Sequence, residues 1–207
     1  MLESHRVINS GRTPPEFRHA NLTHYNCVVL TDELPDLDSF DCLFYCLGSI
    51  KIKPLARLSL DDFRSDFEMN VMGAVKVIQK YVPQLKKGVN SSILLFSTVV
   101  SNLEKPFHAS VATSKSGIEG LVKPLGAEFP STGRVNAMAL TVIDTRLASK
   151  LLRNEKMIAN ITERHPIKKI LHPEQVASTA AFLLADKAAS FLGQIFEMDC
   201  GMVSFKI

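Results

Sequence analysis

Two stretches of the chain carry side chains that could move a proton or hold an anion. In "HASVATSKSGI", His108 precedes Lys115 by seven residues. Histidine titrates near neutral pH and is the commonest acid/base side chain, so His108 could give or take a proton. A solvated histidine ahead of a helix, and a surface lysine on that helix, account for the same residues. In "SGRTPPEF", residues 10–17, Ser10, Gly11, Arg12 and Thr13 could hold a phosphate through hydroxyls and a guanidinium. Pro14 and Pro15 remove two N–H donors from the same helix start, and an ordinary strand-to-helix turn also fits.

These residues need elements to position them. Short apolar runs alternate with helical stretches, which predicts a parallel sheet covered by helices on both faces. The predicted strands are "RVINS" (6–10), "NCVVL" (26–30), "DCLFYCL" (41–47), "SSILLFS" (91–97), "RVNAMAL" (134–140) and "QIFEM" (194–198). From Ser59 to about Tyr81, apolar residues recur at i+3 and i+4 steps, with Ser59 as N-cap and Asp61 and Asp62 in the first turn. A second helix is predicted from Ser110 to Leu125. A third, "HPEQVASTAAFLLAD", starts at Pro173. No repeat or linker divides the 207 residues, so one domain is expected.

Bulk properties narrow the function classes. The chain is 46% hydrophobic and 22% charged, with a net charge of +3 and scattered basic residues. That balance argues against nucleic acid and anionic membranes as partners. No apolar stretch reaches membrane-spanning length, and "MLESHRVINS" has no signal-peptide core, so a cytoplasmic protein is expected. Cys27, Cys42, Cys46 and Cys200 form no CxxC pair and read as buried thiols of a reducing compartment.

Several motifs, in order over roughly residues 39–202, resemble the short-chain dehydrogenase/reductase family. They are "MNVMG" (69–73), "LLFSTVVS", "SKSGIEGLVKPLGAEF", "VNAMALTVIDT" and the C-terminal stretch 165–201. The resemblance implies a Rossmann-type doubly wound parallel sheet in three α/β/α layers, with a shortened N-terminal half. It also implies NAD or NADP at the carboxyl edge of the sheet and hydride transfer to a small carbonyl or enoyl substrate. On the same grounds Asn70 would anchor a proton-relay water, Thr98 would hold the substrate oxygen, and Lys115 would contact the nicotinamide ribose. Thr145 would meet the nicotinamide amide, and Gly48 would let the backbone approach the cofactor.

Departures from the family pattern matter equally. Val111 stands where the tyrosine acid belongs, four residues before Lys115. His108 occupies the place where the enoyl reductase branch keeps its tyrosine. Leu140-Thr141 replaces a Pro-Gly pair. No stretch has three spaced glycines, so either the first strand-helix unit or an edge unit is missing. The edge account, with "VINSG" as the central strand, is favoured because an edge strand loses only one ladder. It places Asp32 at the adenosine ribose, which would favour NAD. Helices 59–84 and 110–126 would form the subunit interface of a homodimer or homotetramer. A catalytically inactive relative, serving as oligomer partner or nucleotide sensor, is the other reading.

Overall fold

The longest helical run starts at Ser59. Its hydroxyl accepts from the Asp62 N–H at 3.1 Å, and the Asp62 carboxylate accepts from the Ser59 N–H at 3.0 Å. This capping box satisfies two donors that a helix start leaves open. In the computed structural model, which describes residues 5–88, 90–103, 105–129 and 133–205, α1 (Leu60–Phe67) continues through one π-helical turn into α2 (Gly73–Leu85). The first residues read above for a leader lie partly outside the described ones. α3 (Ala109–Glu128) and α5 (Pro173–Leu184) follow the expected helices, and α4 (Glu155–Arg164) lies between them. Among the described residues, no helix is long and apolar enough to cross a membrane.

All strand pairs are parallel. β3 (Cys42–Tyr45), β4 (Ser91–Thr98), β5 (Gly133–Leu140) and β6 (Ile195–Met198) form a four-stranded sheet in that order. Successive side chains of a strand point to opposite faces. Ile93 and Leu95 of β4, with Val135 and Ala137 of β5, therefore pack with Val71, Ile78, Ile118 and Val122 from the α2–α3 side. Leu94, Met138 and Leu140 pack with Val176, Ala180 and Leu183 of α5. Two cores on the two faces of one sheet make the expected three-layer, doubly wound arrangement.

The N-terminal half corrects the expectation. β1 (Val7–Gly11) pairs with β2 (Leu22–Asn26) as a separate two-stranded sheet, Val7 against Leu22 through Gly11 against Asn26. If "VINSG" were the central strand, β1 would ladder with β3. Among the described residues no such ladder forms, so the edge-loss account is overturned, and β1 and β3 each keep an unpaired edge. The second strand is "LTHYN" rather than "NCVVL". Cys27 and Val29 instead follow it as a segment buried in the larger core with Leu34 and Tyr45.

The open edge also explains a second correction. Cys42 and Cys46, expected to be buried, are exposed, while Cys27 and Cys200 are buried as expected. Among the described residues β3 has no ladder partner on one edge, where Cys42 sits, and Cys46 follows the strand on the cavity wall. The β1–β2 pair is held to the rest by side chains. The Tyr81 hydroxyl donates to Pro35 O at 2.8 Å, and Lys76 Nζ donates to Asp32 O at 2.8 Å.

A two-stranded sheet without a shared ladder should open separately from the main sheet. Native-state hydrogen exchange should show the paired amides of β1 and β2 exchanging about tenfold or more faster than those of β4 and β5. Equal protection would mean that both sheets open as one unit.

Candidate active site

The carboxyl ends of β4 and β5 end on one wall of a cavity of about 470 Å3. Gly48, Thr98, His108, Lys115 and Thr145 all line it. Spacing explains the convergence: His108 immediately precedes α3, and Val111 and Lys115 follow on the same side across two turns. That face packs along β4, and Lys115 Nζ donates to Phe96 O at 2.9 Å. Burial pushes the Lys115 ammonium down to about 8, with Cys46 and Asp66 pulling the other way. The lysine is therefore largely protonated at pH 7 and able to release its proton.

Asn70 stands behind Gly48, fully buried in the π-helical turn. Such turns insert one extra residue into a helix and often occur at functional positions. Asn70 Nδ2 donates to Asp66 O at 2.8 Å, with Ser114 Oγ at 3.2 Å and Ser49 Oγ at 3.3 Å. These acceptors fix the amide so that Oδ1 points away from them, and that buried oxygen has no partner among the described residues. A Cβ built on Gly48 would lie 3.1 Å from Asn70 Oδ1 and 3.3 Å from Lys115 Nζ. The missing side chain leaves a small space with an acceptor on one side and an ammonium on the other. A water or a ribose hydroxyl can bond to both.

The other residues are more constrained. Thr98 Oγ1 donates to Leu140 O at 3.2 Å and accepts from the Val100 N–H at 3.4 Å. Val111 is buried and offers no proton. His108 is 6% exposed, and its Nδ1 lies 2.6 Å from Pro106 O. A carbonyl only accepts, so Nδ1 carries the hydrogen, and Nε2 of the neutral ring keeps its lone pair. Burial lowers the His108 pKa, the Pro106 bond opposes this, and Lys105 lowers it further. His108 is thus a neutral acceptor at pH 7 rather than a ready acid. Thr145 Oγ1 donates to Ile143 O at 3.4 Å, and a parallel bridge from Ile143 to Leu171 sets the loop that replaces the Pro-Gly turn. Beside it, Thr141 Oγ1 meets His165 Nε2 at 2.7 Å.

Ser10, Gly11, Arg12 and Asp32 do not line this cavity. Ser10 and Arg12 are exposed, and nothing lies within 4 Å of a Cβ built on Gly11, so that glycine accommodates no close approach among the described residues. The Asp32 carboxylate caps a local turn, accepting from the Val28 N–H at 2.8 Å and the Thr31 hydroxyl at 2.9 Å. The Val28 and Thr31 bonds lower its pKa. A nicotinamide ribose fits the residues around Gly48. For the pyrophosphate end, the described residues supply no glycine-rich helix start.

Sequence reasoning missed the support beneath Asn70. Asp66 is fully buried, and its carboxylate accepts from Ser49 Oγ at 2.7 Å and Ser110 Oγ at 2.6 Å. The signal was available: Asp66 and Asn70, like Ser110 and Ser114, are four residues apart and share a helix face. Lys105, which also lines the cavity, carried no such signal.

Residues 29–203 match a family model described as enoyl-(acyl carrier protein) reductase. The chain belongs to the short-chain dehydrogenase/reductase family. It is 33% identical over 164 residues to a 3-oxoacyl-[acyl-carrier-protein] reductase FabG of Thermotoga maritima, covering 79% of this chain and 66% of that protein. The chain thus spans about two thirds of that relative's length. Among solved structures, the ligand-free aldohexose dehydrogenase of Thermoplasma acidophilum has a TM-score of 0.88 at 24% identity, covering 99% of this chain and 86% of that one. A 4-hydroxyisoleucine dehydrogenase mutant, solved with NADH and succinate, has a TM-score of 0.88 at 21% identity, covering 99% and 91%. These two likenesses show the same fold.

A buried ammonium near pH 8 lowers stability when charged. In the unfolded chain Lys115 holds its proton up to about 10.4, so the penalty is full below about pH 8 and disappears as pH rises past 10.4. Lys115→Met should therefore stabilise the protein at pH 7 by roughly 1–3 kcal/mol. Urea melts of both proteins should converge at the alkaline end. A variant less stable at pH 7 would show that the Phe96 bond outweighs desolvation.

Proposed function

We propose that this chain is an NAD(P)-dependent reductase of a small carbonyl or enoyl substrate, with Lys115 as the source of the reacting proton. One observation carries the reading: Lys115 Nζ and the unpartnered Asn70 Oδ1 converge on the space beside Gly48, at the wall of the cavity. The nicotinamide nucleotide supplies hydride when bound. Asn70 and Lys115 hold the ribose or an intervening water. Thr98 holds the substrate oxygen once its hydroxyl turns from Leu140. Protonation of that oxygen falls to Lys115 Nζ, directly or through the water, because Val111 has no proton and His108 is neutral with a free acceptor. An ammonium near pH 8 suits general acid catalysis at neutral pH.

His108, seven residues before Lys115, then serves as a wall and acceptor beside the substrate. The turn that engages Asp32 removes the argument for NAD over NADP. The buried Val111 favours the other reading, a non-catalytic partner that still binds nucleotide. The family match and the retained Asn70, Thr98 and Lys115 support activity.

Calorimetric titration with NADH and NADPH tests the binding half. Heat of binding from at least one nucleotide, greatly weakened in Lys115→Met, is expected. No binding of either at millimolar concentration overturns the reading. For turnover, kcat should fall as pH rises through about 8, because the proton donor is lost. His108→Ala should leave the neutral-pH rate within a few-fold, whereas losing an acid costs about 100-fold or more. Val111→Tyr should raise the rate, since the ammonium beside the new phenol lowers its pKa. A large loss in His108→Ala would move the proton donor from Lys115 to the histidine.

A further inference from the structure

The cavity has an unusual charge balance. Two of its lining side chains are lysines, Lys105 and Lys115, and among the described residues no aspartate or glutamate lines it. Lys115 has Phe96 O as an acceptor. The Lys105 ammonium has no hydrogen bond or ion pair among the described residues, although the side chain is half-buried. Burial lowers its pKa, and the Arg164 guanidinium lowers it further.

The groups around Lys105 do not neutralise it. Arg164 forms no ion pair among the described residues. His108 and His165 both sense the Lys105 charge, and each has Nδ1 on a backbone carbonyl, at 2.6 Å from Pro106 O and 2.8 Å from Ile161 O. Asp199 acts on His165 from a distance, and its carboxylate already accepts from the Gly201 N–H at 2.8 Å and the Val203 N–H at 2.5 Å. An ammonium drawn out of water beside a second cation is costly unless an anion completes the site.

The backbone holds Lys105 there. Phe107 has φ +69°, a left-handed conformation that a bulky residue rarely adopts. Its carbonyl accepts from the Lys53 N–H at 3.1 Å, and the next residue, His108, closes back on Pro106. Strain of this kind persists where surrounding bonds over-determine it, often beside a ligand. The turn keeps Lys105 and His108 together on the cavity wall.

We propose that Lys105 anchors a carboxylate on the substrate, so that this site takes a small oxo acid rather than a neutral ketone. The acid's carbonyl would lie toward Thr98 and Lys115, with its carboxylate on Lys105. A phosphate is a poorer fit, because a dianion calls for several converging donors and the rest of the wall is largely apolar. The assignment of the reduced group rests on the reductase reading above; the anion anchor does not.

The test separates the two. Binding of 3-oxobutanoate, ethyl 3-oxobutanoate and inorganic phosphate would be measured by calorimetry, with and without NADPH, and turnover followed in parallel. The acid should bind at least tenfold more tightly than the ester. That preference should collapse in Lys105→Gln and largely return in Lys105→Arg. Equal binding of acid and ester by the natural protein overturns the proposal, whatever the variants do. A preference that survives in Lys105→Gln, or phosphate binding more tightly than the acid, overturns it as well. Acid preference without NADPH oxidation leaves the anchor standing and removes the reductase reading. Ester turnover without acid preference does the reverse.

Discussion

The parallel ladder between β4 and β5 is the constraint on which the site depends. Its pairs run from Ser91–Gly133 to Thr98–Leu140, so both strands end at the same level and deliver Thr98 and the Leu140 carbonyl side by side. The alternation along β4 divides its residues between two cores, and each core fixes a helix. α3 lies on one face, which sets where Lys115 and His108 can reach. α5 lies on the other and closes the far wall through Pro173 and Val176. Slipping the ladder by one residue would exchange the two faces and separate these groups.

Within that frame, the chemistry comes from charges and polar groups kept where solvation alone would not keep them. Lys115 is buried against one backbone carbonyl, which brings its proton within reach of neutral pH. Asn70 is held by three acceptors while its own oxygen stays unpaired. Asp66 holds two serine hydroxyls beneath it. Leaving a buried polar atom unmatched costs stability, and a bound hydroxyl or water is what would recover it. The site thus carries a polar atom that is left unmatched among the described residues of the free protein.

The N-terminal half follows a different logic. Among the described residues β1 and β2 ladder with each other but not with β3, so β3 is open along one edge and Cys42 on it is exposed. The pair is tied to the main body by the side chains of Tyr81 and Lys76 and by the apolar segment Cys27–Val29. The cavity that holds Lys115 and Thr98 is built on the four-stranded sheet, its helices and the loops between them. Of the residues considered for the phosphate end, Ser10 and Gly11 lie on β1 and Arg12 and Thr13 just past it, and none lines the cavity.

Much of this was legible in the residues themselves. The apolar stripe from Phe63 to Val82, the capping pair Ser59 and Asp62, Pro173 at a helix start and the apolar runs at 91–97 and 134–140 are local signals, because helix and strand periods are set by backbone geometry. The family motifs placed Asn70, Thr98, Lys115 and Thr145, and Val111 announced the missing phenol. Tertiary structure alone decided which strands pair, since ladder partners far apart in sequence leave no local signature. It alone showed that Asp32 caps a turn, that burial keeps His108 neutral while a carbonyl fixes its tautomer, and that Lys105 shares the cavity with Lys115. Periodicity tells which face a residue occupies. Burial, and the groups brought in from distant segments, decide the charge it carries there.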